Sequence, residues 1–310
     1  MVRAALSFAM LVLSTTWAAH AQQTGAATDL VSSWLLVGAE RDVASGEPRR
    51  VSQARGLLVL DAAGNVFEFF NTPSAVSPNS AQPDPRRVFA DNGGFWGRYE
   101  AFPAAGRIDF DAEEGVSPNV HGLKFSRSYE LAGDRLIITS TDEPQAQGDV
   151  RLTWQRVPTV ENLSPAYREV VGFWRHVEDS RLNTATNEVD NTRQRAPSVI
   201  VYTPGGFVGV HFPTLGRSGF AGDTPTVEEA QAARNYLGYY GALGVYPGEV
   251  FHNILGGVTP SAGAILRRFA KVTGDELVVT IPSGNPQSTL ATTVRLTRLS
   301  GADDMLPHAR

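Results

Sequence analysis

The chain contains no cysteine. That excludes disulfides, a thiolate metal site, a catalytic thiol and a lipid-modified cysteine. Lysine is nearly absent, with Lys124 and Lys271 alone, and the arginines are scattered. At a net charge of -5 there is no concentrated basic face of the kind a nucleic-acid partner needs. Past the first residues, no apolar run approaches the ~18 residues of a spanning helix, so no membrane span is expected. G-x-S-x-G, Walker and dinucleotide fingerprints are all missing, which counts against serine hydrolysis and nucleotide chemistry. No H-x-H or H-E-x-x-H spacing occurs either, so neither metal nor any other cofactor is expected.

What remains is a 310-residue chain, 42% hydrophobic and 19% charged, with room for two domains of about 140 residues each. It opens "MVRAALSFAMLVLSTTWAAHAQQ". Arg3 gives a positive start, residues 4–13 an apolar core, and Ala19-His20-Ala21 a small-residue cleavage site. Residues 1–21 therefore read as a signal peptide cut before Gln22, which predicts a periplasmic or secreted protein.

The rest repeats itself. "LVSSWLLVGAER" from Leu30 lies over "VVGFWRHVEDSR" from Val170, with Trp34 on Trp174. "ARGLLVLDAAGNVFEFF" lies over "APSVIVYTPGGFVGVHF", with Gly64 on Gly206. "WGRYEAF" matches "LGYYGAL", placing Tyr99 on Tyr240; "LAGDRLIIT" matches "VTGDELVVT"; "RLTWQRV" matches "VRLTRLS", placing Arg156 on Arg298. Five matches fall in order at an offset of 140 to 142, which defines two copies over 29–157 and 168–300. "PTVENLSPAY" joins them, and the tail after Gly301 is expected to fray.

Strand patterns dominate both copies. Two apolar runs flank a Gly-Asn turn in the first hairpin and Pro204-Gly205-Gly206 in the second. "DRLIITS", "ELVVTI" and "TTVRLTRL" add further strands. One short helix stands out in the second copy, "TVEEAQAARNYL", with Thr226 as N-cap and Glu229 three residues on. Strands spaced by turns predict an all-β fold of antiparallel barrels or sandwiches.

The order of these motifs resembles the bacterial and fungal lipocalin-like domain family. The opening strand is "SSWLLVG" and "GFWRHVE", the hairpin "ARGLLVLDAAG" and "APSVIVYTPGG". "EEAQAARNYLGYYGAL" and "VFHNILGGVTPSAGAILRRFAKVTGDELVV" follow in the second copy. The resemblance covers nearly the whole mature chain and implies two tandem lipocalin-like antiparallel β-barrels. The first copy departs from the pattern: "IDFDAE" replaces "EVFHNI", with Asp111 over His252, and "DPRRVFADNGGFW" replaces the helix. An ancestral site is therefore expected in the second copy.

His252 is the leading candidate there. Alternation puts Val250, His252 and Ile254 on one face, and an inward histidine in a barrel could act as general acid or base. Tyr240 would hydrogen-bond a substrate or ligand, and Arg267 or Arg268 would stabilise negative charge. Trp174, His176, Tyr202 and His211 complete the candidate ligand contacts, with Trp34 and Trp174 also placed as barrel-end plugs. The bland alternative for His252 is a core histidine bonded to a polar neighbour. Asp109, Asp111, Glu113 and Glu114 invite an acid/base reading but fit a solvated edge better.

Three functions stay open. The favoured one is a binding module for a small hydrophobic molecule, which in this family's fold would sit in a barrel lumen. The second is a cofactor-free lyase, isomerase, hydratase or cyclase working through His252. The third is a structural or assembly protein. The oligomeric state and any pocket shared between the copies are left open by the sequence.

Overall fold

In a computed structural model the described residues are 29–41, 47–72, 84–140, 149–222, 224–233, 235–259, 262–285 and 287–306. The expected signal peptide, and the last residues of the tail, lie outside them.

The first sheet comprises β1 (Ser32–Arg41), β2 (Arg49–Arg50), β3 (Arg55–Leu60), β4 (Asn65–Asn71), β5 (Asn92–Phe102), β6 (Arg107–Gly115), β7 (Lys124–Ala132), β8 (Arg135–Ser140) and β9 (Val150–Arg156). The second comprises β10 (Gly172–Asn183), β11 (Val189–Arg193), β12 (Val199–Tyr202), β13 (Phe207–Pro213), β14 (Tyr236–Tyr246), β15 (Glu249–Thr259), β16 (Ile265–Thr273), β17 (Glu276–Pro282) and β18 (Leu290–Ser300). Each strand pairs antiparallel with its neighbour in order, and β1–β9 and β10–β18 pairings close the two rings. The result is a tandem of two closed eight-strand barrels, the fold class the repeats and alternation predict. The short β2 and β11 extend one end of the opening strands.

Local chemistry explains the elements. Gly64 and Gly206 take φ of 81° and 86°, left-handed values that L side chains rarely adopt, and turn the two equivalent hairpins. The helix Val227–Ala233 carries the expected capping box: Glu229 N donates to Thr226 Oγ1 at 3.2 Å, and Thr226 N to Glu229 Oε2 at 2.8 Å. In β7 the buried face is Phe125, Arg127, Tyr129 and Leu131, and the outer face is Lys124, Ser126, Ser128 and Glu130.

One end of each barrel is closed in the same way. Trp34 Nε1 donates to Leu30 O and Trp174 Nε1 to Val170 O, at 3.1 and 2.7 Å. Arg156 and Arg298 from the last strands cover those rings at 4.2 and 4.0 Å.

Each barrel has its own lumenal core. A third core lies between them, built from Leu57, Val59, Phe67, Phe69 and Trp96 of the first barrel and Phe173, Val199, Val201, Tyr236 and Tyr240 of the second. The strands β3, β4, β12 and β13 are therefore buried on both faces, which is why their sequences are continuous apolar runs.

Strand register corrects two equivalences. Counting from the Gly64 and Gly206 turns, Phe67 matches Gly209, so their partners Trp96 and Tyr240 are equivalent, not Tyr99 and Tyr240. Counting back from the Gly133 and Gly274 turns, Phe125 matches Leu266, so their partners Phe110 and His252 are equivalent, not Asp111 and His252. The β4–β5 connection is two residues shorter than the β13–β14 one, and the β5–β6 turn is two residues longer than the β14–β15 turn, so no single sequence offset holds.

Candidate functional site

His252 does lie in the second lumen, and it is sealed there. Its side chain is buried between two tyrosines: Nδ1 meets Tyr239 Oη at 2.7 Å and Nε2 meets Tyr202 Oη at 3.2 Å. One hydroxyl donates to the bare ring nitrogen and the other accepts from the N–H, so both nitrogens are spoken for. Burial, aided by the charge of Arg268, lowers the imidazole pKa to about 3. Burial also pushes both phenols far above their usual range. The geometry describes a neutral polar knot inside a filled core, with no ring nitrogen facing open space.

The other candidates divide between faces. Tyr240 points out of the lumen and into the inter-barrel core, its ring 6.2 Å from Phe69; its neighbour Tyr239 is the inward one. The expectation that Tyr240 shares a lumen with His252 is corrected on that ground. Arg267 also points outward, paired with Glu249 and more than half exposed. Arg268 takes the inward face of β16, where its charge bears on His252, Tyr202 and Tyr239. His211 is outward too, fully buried between the barrels, where Nε2 donates to Glu68 O at 2.9 Å and Nδ1 accepts from Tyr236 Oη. Burial, opposed by the Glu68 carbonyl, lowers its pKa to about 3.

Trp174 and Tyr202 are fully buried in the second core. His176 Nε2 meets Asp179 Oδ1 at 2.9 Å, with Arg195 on the same carboxylate at 2.5 Å and above the Phe212 ring. Burial raises the Asp179 pKa, but His176 and Arg195 outweigh it and the net shift is downward. His176 and His211 thus face opposite ways, and among the described residues no group of three or more potential ligands gathers for a metal.

The acidic run of β6 is dispersed as well. Asp109 pairs with Arg107, Asp111 with Lys124 and Glu113 with Arg175. Glu114 alone is buried, held by Arg217 at 3.1 Å and by His121 at 3.0 Å. Burial raises its pKa against the opposing pull of Arg217 and His121.

An open space lies in the first barrel. A cavity of about 140 Å³ occupies the half of its lumen away from Trp34. Phe70, Phe95, Phe125, Ile138, Val150 and Leu152 make its walls, Arg41, Thr72, Asn92, Arg127 and Ser140 its polar points, and Phe89 part of its rim. Arg127 sits over three rings, Phe95, Phe110 and Phe125, at 5.0 to 5.5 Å, and meets the buried Glu68 carboxylate at 2.8 Å. Arg41 Nη2 donates to Thr72 Oγ1 at 3.1 Å. Phe220 and Pro225, which belong to the second barrel's β13–β14 connection, complete the lining.

The sequence reading missed this site. Counting from the shared turns, Arg127 and Arg268 are equivalent, while Glu68 replaces Val210, and Phe95 and Phe110 replace Tyr239 and His252. Glu68 inside the apolar run of β4, with Arg127 on the apolar face of β7, was the signal that could have found it.

The protein is thus a tandem of closed eight-strand antiparallel barrels, an arrangement that fits a lipocalin-like fold, with a small lumenal cavity in one of the two. No protein-family model matches the sequence, and no curated protein does. Among solved structures, similarity extends to a protein of unknown function of the DUF3598 family from Nostoc punctiforme, at 10% identity over 89% of this chain and 99% of that one, TM-score 0.22. A Bacteroides fragilis protein provisionally ascribed to the outer membrane aligns at 11% identity over 88% and 99%, TM-score 0.23. At such scores neither neighbour bears on what this chain does.

Proposed function

We propose that the protein binds a small, mainly apolar molecule, about one aromatic ring in size, in the lumen of the first barrel. The observation that carries this is the lumenal cavity of about 140 Å³, walled in part by phenylalanines. An apolar cavity of about 150 Å³ is large enough to take benzene. Burying ~150 Å² of ring at ~25 cal/mol per Å² contributes about 4 kcal/mol, which alone is only millimolar affinity. A charge-assisted hydrogen bond adds about 1.5–3 kcal/mol. Arg41 and Arg127 supply the donors, so a ring bearing one acceptor group fits best, and phenol and benzoate are suitable probes.

Cavity filling tests the reading. Wild-type protein titrated with phenol and benzoate, followed by ligand-observed NMR, is expected to saturate. Ile138→Trp fills the lumen and is expected to abolish saturation while the protein stays folded by near-UV circular dichroism. Equal binding by Ile138→Trp would move the ligand elsewhere, and no binding by the wild type to any single-ring probe would sink the proposal.

A further inference from the structure

The second barrel reaches across and closes the first. Residues 214–222, "TLGRSGFAG", leave β13 and lie over the mouth of the first cavity. The Phe220 ring meets Phe89 edge-on at 4.9 Å and forms part of the cavity wall. Its backbone N–H donates to Asn119 Oδ1 on the first barrel at 2.5 Å. Three residues earlier, the Arg217 side chain is buried in the first barrel: Nη1 donates to Glu114 Oε1 at 3.1 Å and Gly115 O at 2.9 Å, and Nη2 to Val116 O. On the other side, Ala221 N–H donates to Glu229 Oε1 at 2.8 Å, and Arg217 Nε to Ala233 O at 3.3 Å.

The segment is therefore pinned at Arg217, Phe220 and Ala221 and lightly packed on either side of them. A side chain at Gly216 or Gly222 would meet nothing within 4 Å, and Leu215 is 61% exposed. Such a stretch opens locally at lower cost than a barrel strand. Phe220 stands at this mouth beside the first barrel's own Phe89, where it limits the length of the cavity.

We infer that Phe220, supplied by the second barrel, is the specificity-determining cap of the first barrel's pocket, and that ligand exchange requires displacement of residues 214–222. This rests on the binding function proposed above. The second barrel then acts as the carrier of the cap rather than as a second binding module. A ligand longer than one ring is excluded by the Phe220 side chain, and removal of that side chain admits it.

The absence of cysteine allows a test that needs no ligand. Ser140→Cys places one thiol on the cavity wall, and its reaction with methyl methanethiosulfonate and with the bulkier benzyl reagent is timed. Adding Phe220→Ala is expected to speed the reaction at least about tenfold, the factor that 1.4 kcal/mol of lost closure gives, and to do so more for the benzyl reagent. Arg217→Met, which frees the pin without touching the cavity, is expected to speed both reagents alike. Should Arg217→Met fail to fold, the Phe220→Ala comparison decides alone. Unchanged rates for both reagents with Phe220→Ala would overturn the cap. Phenol is then added as a protecting probe: protection without faster labelling removes the cap and keeps the binding site, whereas faster labelling without protection removes the site and keeps the cap.

Discussion

At the scale of single residues, the two lumens solve one packing problem in opposite ways. Tyr202, Tyr239 and His252 in the second barrel occupy the positions of Leu60, Phe95 and Phe110 in the first. The polar trio is internally satisfied, and a buried group that loses its partner costs about 1–3 kcal/mol. His252→Phe alone is therefore expected to destabilise, because two hydroxyls are orphaned at once, whereas the triple change to Leu, Phe and Phe should recover most of the loss. The trio also has a pH signature. An unfolded histidine binds a proton below pH 6.5, but folded His252 and His211 stay neutral until about pH 3. Unfolding then takes up protons across that interval, so stability falls as pH falls, by up to ~1.4 kcal/mol per unit for each histidine. Urea melts between pH 6.5 and 4 should show the triple variant losing one histidine's share of that slope; parallel slopes would mean that His252 is charged in the fold.

At the scale of elements, the inter-barrel contact depends on one missing side chain. Gly209 of β13 faces Phe67 of β4, and a Cβ there would lie 2.4 Å from two atoms of the ring. Gly209→Val is expected to cost about 1–3 kcal/mol as overpacking, read as a lower urea midpoint, and a neutral result would mean the barrels slide freely. Turns, the capping box and the strands β8, β17 and β18 were legible in the sequence because their causes are local. The faces of Tyr240 and His211 were not. Alternation separates two faces, but it cannot say which is lumen when a second barrel makes the outer one equally apolar. The unbroken runs "GLLVL" and "SVIVY" did carry that information, since a strand with one solvated face would have alternated. The cavity was illegible for another reason: whether a lumen is full depends on the summed volumes of side chains from eight strands. Of the first copy's departures, "DPRRVFADNGGFW" supplies Phe89, Asn92 and Phe95 to the open space.

At the scale of the whole molecule, the third core makes the tandem one body. Either barrel alone would expose Phe67, Phe69 and Trp96, or Phe173, Tyr236 and Tyr240, as a contiguous apolar patch. Calorimetry is accordingly expected to give one transition, with calorimetric and van't Hoff enthalpies equal, and two separate transitions would contradict a shared core. Hydrogen bonds reinforce it: Trp96 Nε1 donates to Pro197 O, and Ser300 Oγ to Asp61 Oδ2, at 3.3 and 2.5 Å. The second of these bonds joins residues 239 positions apart, linking the first hairpin of the chain to its last strand. A ribosome therefore releases the first barrel's strands long before Ser300 exists to meet Asp61. A chain interrupted between the two barrels would carry a finished ring whose Asp61 keeps its Asn65 donors but lacks Ser300, and whose mouth lacks Phe220. The first ring closes at β9, but its pocket is finished only once residues 214–222 have followed β13, so the two halves of one site are made at different times.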